Sequence, residues 1–491
     1  MSHANPTYEV PCIYNAIKAS RHSFQQGRAP LSVAVPGSKS ITNRALLLAT
    51  LAQGNSTLRE VLFSDDSRHF LKCIQDLGFE TTVKEAEKII TVNGHGGAIP
   101  RREADLYVGS AGTAARFLTA YLGVSEGTYH LDASPQMRRR PMAPLLDSLQ
   151  ELGCQVHYGS RDKNTPPGAG NGLTIPCPAD GLSPSHTPAR GSLTDDAYTG
   201  GTQAGHFPYT LVGHGFCKDH ISVDIGHSSQ FLSALLIASC LSDRDFTTCI
   251  EGTHGMSYIR MTLQMMEQFG VQVEQPSDRT FLTRAGQRYK ARDYAVEPDA
   301  SAACYFYALC PLLDIPVMVP GIHFCSLQGD VAFLHLLGQM GCTVTDSPQG
   351  IVARPPENGH FHGITADMSA CSDQAITLAA IAPFADSPTT IQGIGHIRFQ
   401  ESDRIRAIAT ELSKMGIRCE EREDSVTIHP GQPTPSLVET YDDHRMAMGF
   451  ALPGLRCPGI VIDNPDCCRK TFEDYFQVLD AVICSLTQTR P

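Results

Sequence analysis

One unit recurs six times along this 491-residue chain, and that recurrence limits its possible folds more than any other feature. Each unit opens with a short turn of Gly, Ser, Pro or Asp and runs into an apolar stretch rich in Ala and Leu. The turns are Pro36-Gly37-Ser38-Lys39-Ser40, Gly109-Ser110-Ala111-Gly112-Thr113, His227-Ser228-Ser229, Pro298-Asp299-Ala300-Ser301, Cys371-Ser372-Asp373 and Tyr441-Asp442-Asp443. The stretches after them, at 41–51, 114–122, 230–240, 302–312, 374–381 and 444–452, are predicted helices. Counted between Ser40, Thr113, Ser229, Asp299, Asp373 and Asp443, successive spacings are 73, 116, 70, 74 and 70 residues. Four nearly equal spacings specify a unit of about 70 residues.

A second predicted helix recurs inside the units, at 68–77, 142–152, 258–269, 331–340 and 404–415. Each stops at a glycine (Gly78, Gly153, Gly270, Gly341, Gly416), where a left-handed cap is expected because glycine has no Cβ to clash. Short β-branched runs such as 89–92, 270–273 and 425–429 lie between helices, so each unit reads as mixed α/β. The one long spacing carries about 44 extra residues. The run 159–215, dense in Gly, Pro, Ser, Thr and Asp and without periodicity, is expected to be an irregular insertion. Residues 1–29 are expected to form a loosely held extension.

Charge narrows the partners. With 39 Lys and Arg against 51 Asp and Glu, the net charge is −12, which argues against nucleic acid or an anionic membrane. Hydrophobic residues at 42% with charged residues at 18% describe a globular chain. Apolar runs such as 231–240 fall short of the roughly 20 residues a membrane span needs. No charged-then-apolar segment opens the chain, so no signal peptide is expected. The 17 cysteines are scattered and none forms a C-x-x-C pair, which favours free thiols in a reducing cytoplasm over a zinc or redox site.

Chemistry gathers at the repeat turns, where a helix start offers unpaired N–H groups and a favourable dipole to anions. Lys39 and Ser40 sit at one such start, with Arg44 one turn further on the same face. The G-x-x-x-x-G-K spacing of a P-loop is absent. Ser228-Ser229-Gln230 brings two hydroxyls and an amide to another start, suited to phosphate or polyol oxygens or simply to capping. Glu401-Ser402-Asp403-Arg404 and Asp442-Asp443-His444-Arg445 set carboxylates beside arginines, either as local ion pairs or as site residues. Arg469-Lys470 adds cations near the end of an acidic chain, which fits a polyanionic ligand.

Taken together, these motifs resemble those of the 5-enolpyruvylshikimate-3-phosphate (EPSP) synthases of the enolpyruvyl transferase family. The resemblance runs over nearly the whole chain, through Pro36-Gly37-Ser38-Lys39-Ser40-x-x-x-Arg44, Ala111-Gly112-Thr113-x-x-Arg116, Arg140-Pro141 and Ser228-Ser229-Gln230-Phe231-Leu232. It continues through Asp299-Ala300-Ser301, Glu401-Ser402-Asp403-Arg404, Asp443-His444-Arg445-Met446-Ala447-Met448 and Lys470-Thr471-Phe472. It implies an α/β fold of two globular domains of three βαββαβ units each, an inverse α/β barrel. The expected domains are 1–37 with 297–491, and 38–296 carrying the insertion, hinged near Gly37 and Val296 so that they close on a ligand.

The resemblance also implies roles. Shikimate 3-phosphate would meet Ser40, Arg44, Ser228, Ser229, Gln230, Tyr258, Asp373 and Gln400. Phosphoenolpyruvate would meet Lys39, Gly112, Gln230, Arg404, Arg445 and Lys470. Glu401 would donate a proton to C3 of phosphoenolpyruvate, Asp373 would stand beside the 5-hydroxyl, and Lys39 would share the proton traffic. No metal or organic cofactor is implied, nor a nucleic acid or membrane partner, and a cytoplasmic monomer is expected. The chain departs from the family at Gln136, where an arginine that binds phosphoenolpyruvate is usual, with Arg138 or Arg139 as possible substitutes. It departs also at Gln400 (a lysine), Gly255 (a serine), Ser110 (an asparagine) and Phe117 (often a proline). A sibling transferase with another acceptor alcohol, or a non-catalytic binding relative, are the alternatives. No cysteine occurs in 131–145, which separates the chain from the enzyme acting on UDP-N-acetylglucosamine.

Overall fold

Each repeat turn starts a buried helix in the computed structural model, which describes residues 6–19, 29–159, 203–226, 228–252 and 255–487. These helices are Lys39–Leu51, Gly112–Gly123, Gln230–Ser239, Ala300–Tyr307, Ala375–Ile381 and His444–Gly454. Residues of the turns cap three of them: the Ser38 hydroxyl accepts from the Ile41 amide, Asp299 from the Ala302 amide and Asp443 from the Arg445 amide. Their Ala- and Leu-rich surfaces are buried nearly all round, so they form the interior of the protein. The second helices are Asp65–Asp76, Ala143–Glu151, Met256–Gln268, Ala332–Gln339 and Arg404–Lys414. The glycines just beyond them, Gly78, Gly153, Gly270, Gly341 and Gly416, have φ of 91, 100, 93, 105 and 78°, the left-handed region that their position predicts.

Among the described residues, five four-stranded sheets share one order, in which two parallel strands are followed by an antiparallel hairpin. In one of them Glu103–Tyr107 runs parallel to Gly127–Asp132, which pairs antiparallel with Tyr209–Gly213 and, beyond it, Gln155–Tyr158. The sixth sheet has three strands. Ser436–Val438 lies parallel to Ile460–Asp463, and the antiparallel place is taken by Thr7–Glu9 from the start of the chain. The N-terminal segment is therefore not a loose extension over its described residues. Val10, Ile13 and Ile17 are buried behind that strand and the helix Tyr14–Ala19 that follows it.

The insertion also needs correcting. Tyr209–Gly213 lies within 159–215 yet is an inner strand with alternate residues buried, because Leu211 and Tyr209 face a core. Residues 160–202 lie outside the described residues.

Apolar side chains form two cores. One spans Ile41 to Val296; the other collects Val10, Ile13, Ile17 and Val33 with residues from Ala300 to Ile483. The chain crosses between them twice, and the crossings run side by side. The Ser38 amide donates to the Glu297 carbonyl and the Asp299 amide to the Pro36 carbonyl, both at 2.8 Å. Gly37 is required there, since a Cβ would fall 2.0 Å from the Glu60 carbonyl oxygen. Each core also takes a strand from next to a crossing: Asp293–Ala295 pairs with Gln53–Arg59, and Leu31–Ser32 with Val317–Met318. Residues at five of the six helix starts, Lys39, Thr113, Ser229, Asp373 and Arg445, border one cavity.

Candidate active site

The helix Lys39–Leu51 brings the first cations. The Lys39 amide donates to Asp299 Oδ2 across the crossing (3.0 Å), and its ammonium lies 3.6 Å from Asp66. One turn on, Arg44 is buried, donating through Nε to Thr262 Oγ1 (2.8 Å) and through Nη2 to the Tyr258 carbonyl (3.3 Å). Its guanidinium stands 5.3 Å over the Phe117 ring, so the residue that departs from the family at 117 forms a cation–π platform. Burial lowers the Arg44 pKa to about 10, which leaves it cationic at neutral pH.

Ser229 is buried at the start of Gln230–Ser239, and Gln230 reaches Thr113 Oγ1 through Nε2 (3.5 Å). Gln230 Oε1 is buried without a partner, an acceptor left for a ligand donor. Gly255 begins Met256–Gln268 at φ +67°, and a Cβ there would lie 2.5 Å from Ser229 Oγ. Where the family usually has serine, this backbone therefore calls for glycine.

Across the cleft the carboxylates are held by cations. Asp373 accepts from Arg404 Nη1 (3.0 Å), Arg445 Nη2 (2.6 Å) and the Tyr258 hydroxyl of the opposite half (2.9 Å). Burial pushes its carboxyl up, but Arg445, Arg404 and Lys39 outweigh that and hold it at about 2. Glu401 accepts from Lys470 Nζ (2.9 Å) and Arg404 Nη2 (2.9 Å), with Arg140 Nη1 at 3.4 Å. Burial again raises its proton affinity, and Lys470, Arg140 and Arg404 more than reverse this, setting it well below the usual carboxylate range. Arg404, 2% exposed, is fixed from behind by Asp443 through Nε and Nη2 (2.8 and 3.2 Å) and also donates to Gln400 Oε1. The two acid–arginine motifs thus form one network joining Glu401, Arg404, Asp443 and Asp373.

Twelve of the expected site residues line one cavity: Lys39, Ser40, Arg44, Ser228, Ser229, Gln230, Tyr258, Asp373, Gln400, Glu401, Arg404 and Arg445. Gly112 and Lys470 stand just behind its wall. A Cβ on Gly112 would lie 2.7 Å from Arg116 Nη1 and 2.9 Å from Arg140 Nη1. Lys470 reaches the site through Glu401 and faces a neighbouring cleft.

Eight residues of the cavity lie outside the site assignment from sequence, and three of them, Arg140, Arg116 and His444, carry charge or ionisable groups. Arg140 and Arg116 were noted only as motif members, and His444 only beside its acidic neighbours. Arg116 is buried with Nε making no hydrogen bond, and both His444 ring nitrogens are likewise buried without a hydrogen bond, Nδ1 lying 3.7 Å from Asp443 Oδ1. Burial, with Lys39 and Arg445 nearby, keeps the His444 imidazole neutral, well below its ordinary pKa. Arg138 and Arg139 do not replace the arginine missing at 136. Arg138 is held by Asp132 in a two-bond pair at 3.0 and 2.7 Å, and Arg139 faces solvent. Gln136 itself extends its amide to the Glu401 and Asp442 carbonyls at 3.5 and 3.4 Å. Ser110 pairs with Ser134 Oγ at 2.7 Å.

Among the described residues, six small sheets around two cores, with a cationic cleft at a double crossing, define the enolpyruvyl transferase fold. The protein is similar over 97% of its length to an EPSP synthase from Acinetobacter baumannii, with a TM-score of 0.70 at 20% identity and 98% of that chain covered. It is also similar to an enolpyruvyl transferase from Streptomyces tendae, with a TM-score of 0.66 at 15% identity and 98% of each chain covered. The chain belongs to the EPSP synthase (3-phosphoshikimate 1-carboxyvinyltransferase) family, whose sequence pattern it matches over residues 25–175 and 204–479. A 3-phosphoshikimate 1-carboxyvinyltransferase of a Nostoc species is 43% identical over 446 residues, covering 91% of this chain and 95% of the relative. That of Nostoc punctiforme is 41% identical over 471 residues, covering 96% and 97%.

Proposed function

We propose that this protein moves the enolpyruvyl group of phosphoenolpyruvate to the 5-hydroxyl of shikimate 3-phosphate, releasing phosphate. The observation that carries the reading is the charge of the cavity. Six cations, Lys39, Arg44, Arg116, Arg140, Arg404 and Arg445, line it against two carboxylates, Asp373 and Glu401, in a chain of net charge −12. Such an excess suits two substrates that each carry a phosphate and a carboxylate.

In this reading Glu401 protonates C3 as the 5-hydroxyl oxygen bonds to C2, and Asp373 receives the hydroxyl proton. The tetrahedral adduct then returns a C3 proton to the Glu401 carboxylate as its C2–O bond to phosphate breaks, and phosphate leaves the enol ether behind. Lys470, Arg140 and Arg404 by themselves hold Glu401 ionised, which does not suit an acid. An incoming phosphate and carboxylate would take up those cations and return its proton affinity, so binding itself arms the acid. The arginines would stabilise the charge that grows on the departing phosphate. Ser40, Arg44, Ser228, Ser229, Tyr258 and Gln400 hold the shikimate ligand in this reading. Lys39, Gly112, Gln230, Arg404, Arg445 and Lys470 surround phosphoenolpyruvate.

The two cores, tied by paired crossings, support two domains that close on their ligands, with a boundary near Gly37 and Val296. Both walls of the cleft come from one chain, which supports a monomer. Free thiols among the described cysteines support a cytoplasmic location. The test is the reaction run in deuterium oxide and followed by NMR. An enol ether at oxygen 5 with deuterium in its methylene group is expected; unchanged shikimate 3-phosphate beside folded protein would overturn the proposal.

A further inference from the structure

The short turn Gly329–Val331 takes no part in these steps, yet three sets of contacts meet on it. Gln328, just before it, donates to the Pro298 carbonyl (2.7 Å) and accepts from the Ala300 amide (2.9 Å), which ties the turn to the second crossing. Gly329 presses against the opposite half, where a Cβ would come within 2.5 Å of Ser257 Cβ. Asp330 is 3% exposed, and both its oxygens are used. One accepts from the Ser301 hydroxyl (3.0 Å), the other from the side-chain amide of Gln374 (3.2 Å), the residue directly after Asp373.

We propose that Asp330 is a positioning residue for the transfer. It fixes the turn Ser372–Gln374 through Gln374 and sets a second negative charge behind Asp373, keeping Asp373 basic enough to accept the 5-hydroxyl proton. The inference rests on the reading above, in which Asp373 is that base. Held by Arg445, Arg404 and Lys39, Asp373 alone is a carboxylate of very low proton affinity, and a weak base draws a proton poorly from an alcohol. Glu401 raises that affinity as a like charge, and a second like charge close by raises it further.

Asp330 is placed to supply it. Asp330 borders one cavity with Lys39, Asp299, Tyr305 and Arg445, and it interacts electrostatically with Asp373 and Cys371 of their turn, with Cys304 and with Tyr258 of the opposite half. Burial, then the charge of Asp373, raises the Asp330 carboxyl to about 6, while Arg445, Gln374 and Ser301 pull the other way. It is therefore ionised at neutral pH and discharged in mild acid.

The test compares kcat of the wild type, Asp330→Asn and Ser301→Ala from pH 5 to 8, with both substrates saturating. Wild-type kcat is expected to rise through an inflection near pH 6. Asp330→Asn keeps the shape without the charge, so it should lack that inflection. It should run about five-fold below wild type at pH 8, a modest Brønsted effect, with both KM values changed less than two-fold. Ser301→Ala removes a donor that favours the ionised form and should move the wild-type inflection to higher pH. A purely structural role would not move it. Asp330→Asn with wild-type kcat, or with the inflection intact, overturns the proposal. Should that variant fail to fold, an unmoved inflection in Ser301→Ala overturns it alone. An inactive wild type would instead fall on the reaction reading.

Discussion

Arg140, rather than Gln136, should carry the cation that the family usually places at 136, and the two can be weighed from their contacts. Arg140 stands 3.4 Å from Glu401 in the cavity wall, and its guanidinium borders the space beside Gly112 where a ligand oxygen would sit. Removing a charged hydrogen bond to a phosphate or carboxylate costs about 1.5–3 kcal/mol. At about 1.4 kcal/mol per factor of ten, Arg140→Ala should raise KM for phosphoenolpyruvate roughly 10- to 150-fold. Gln136 is neutral and its two contacts lie at the outer limit for hydrogen bonds. Its loss should cost about 0.5 kcal/mol, roughly a two-fold change. Arg140→Ala also takes from Glu401 one of the cations that hold it ionised, so the alkaline limb of kcat/KM, where the acid loses its proton, should move to higher pH. The assay is steady-state phosphate release with phosphoenolpyruvate varied at saturating shikimate 3-phosphate. A larger KM effect from Gln136→Ala than from Arg140→Ala would refute this reasoning.

Other consequences follow from single positions. Gly255→Ser, which restores the residue usual in the family, should cost about 1–2 kcal/mol for a left-handed non-glycine residue and displace Ser229. Calorimetry should show a lower unfolding midpoint, and kinetics a higher KM for shikimate 3-phosphate. Deleting residues 1–19 strips Thr7–Glu9 from its sheet and Val10, Ile13 and Ile17 from the core, each worth about 1.5–3 kcal/mol. A thermal melt should fall by at least about 5 °C. Asp373 has a folded pKa below its unfolded value of 3.8, so its pairs contribute stability in full above about pH 4 and lose it as pH falls toward 2. The stability gap between wild type and Asp373→Asn should hold from pH 7 to about 4 and close below that.

Local rules made the repeat readable. A capping side chain, an apolar helix and a glycine at positive φ each depend on neighbours a few residues apart, so Ser38, Asp299 and Gly416 announced themselves. The site read well for the same reason: Lys39, Ser229, Asp373 and Arg445 all sit at or within a residue or two of helix starts of the repeat. What escaped depends on distant partners. Thr7–Glu9 gained its place from Ile460–Asp463, and Tyr209–Gly213 from strands that end about 50 residues or more before it. Arg140 is not legible from its neighbours alone, because only the folded short helix Pro135–Arg138 directs Arg138 to Asp132 and leaves Arg140 to the cavity. Asp330 belongs to no repeat turn, and only the folded chain brings it to Gln374. The glycine at 255 was legible as a departure, but its cause, the approach to Ser229, was not.

The most direct test of the central claim is phosphate release by the purified protein given phosphoenolpyruvate and shikimate 3-phosphate, together and singly, beside Glu401→Ala. The cleft described here predicts phosphate only when both substrates are present, and its loss in the variant. Release with phosphoenolpyruvate alone, full turnover in Glu401→Ala, or no release from folded wild type would contradict it.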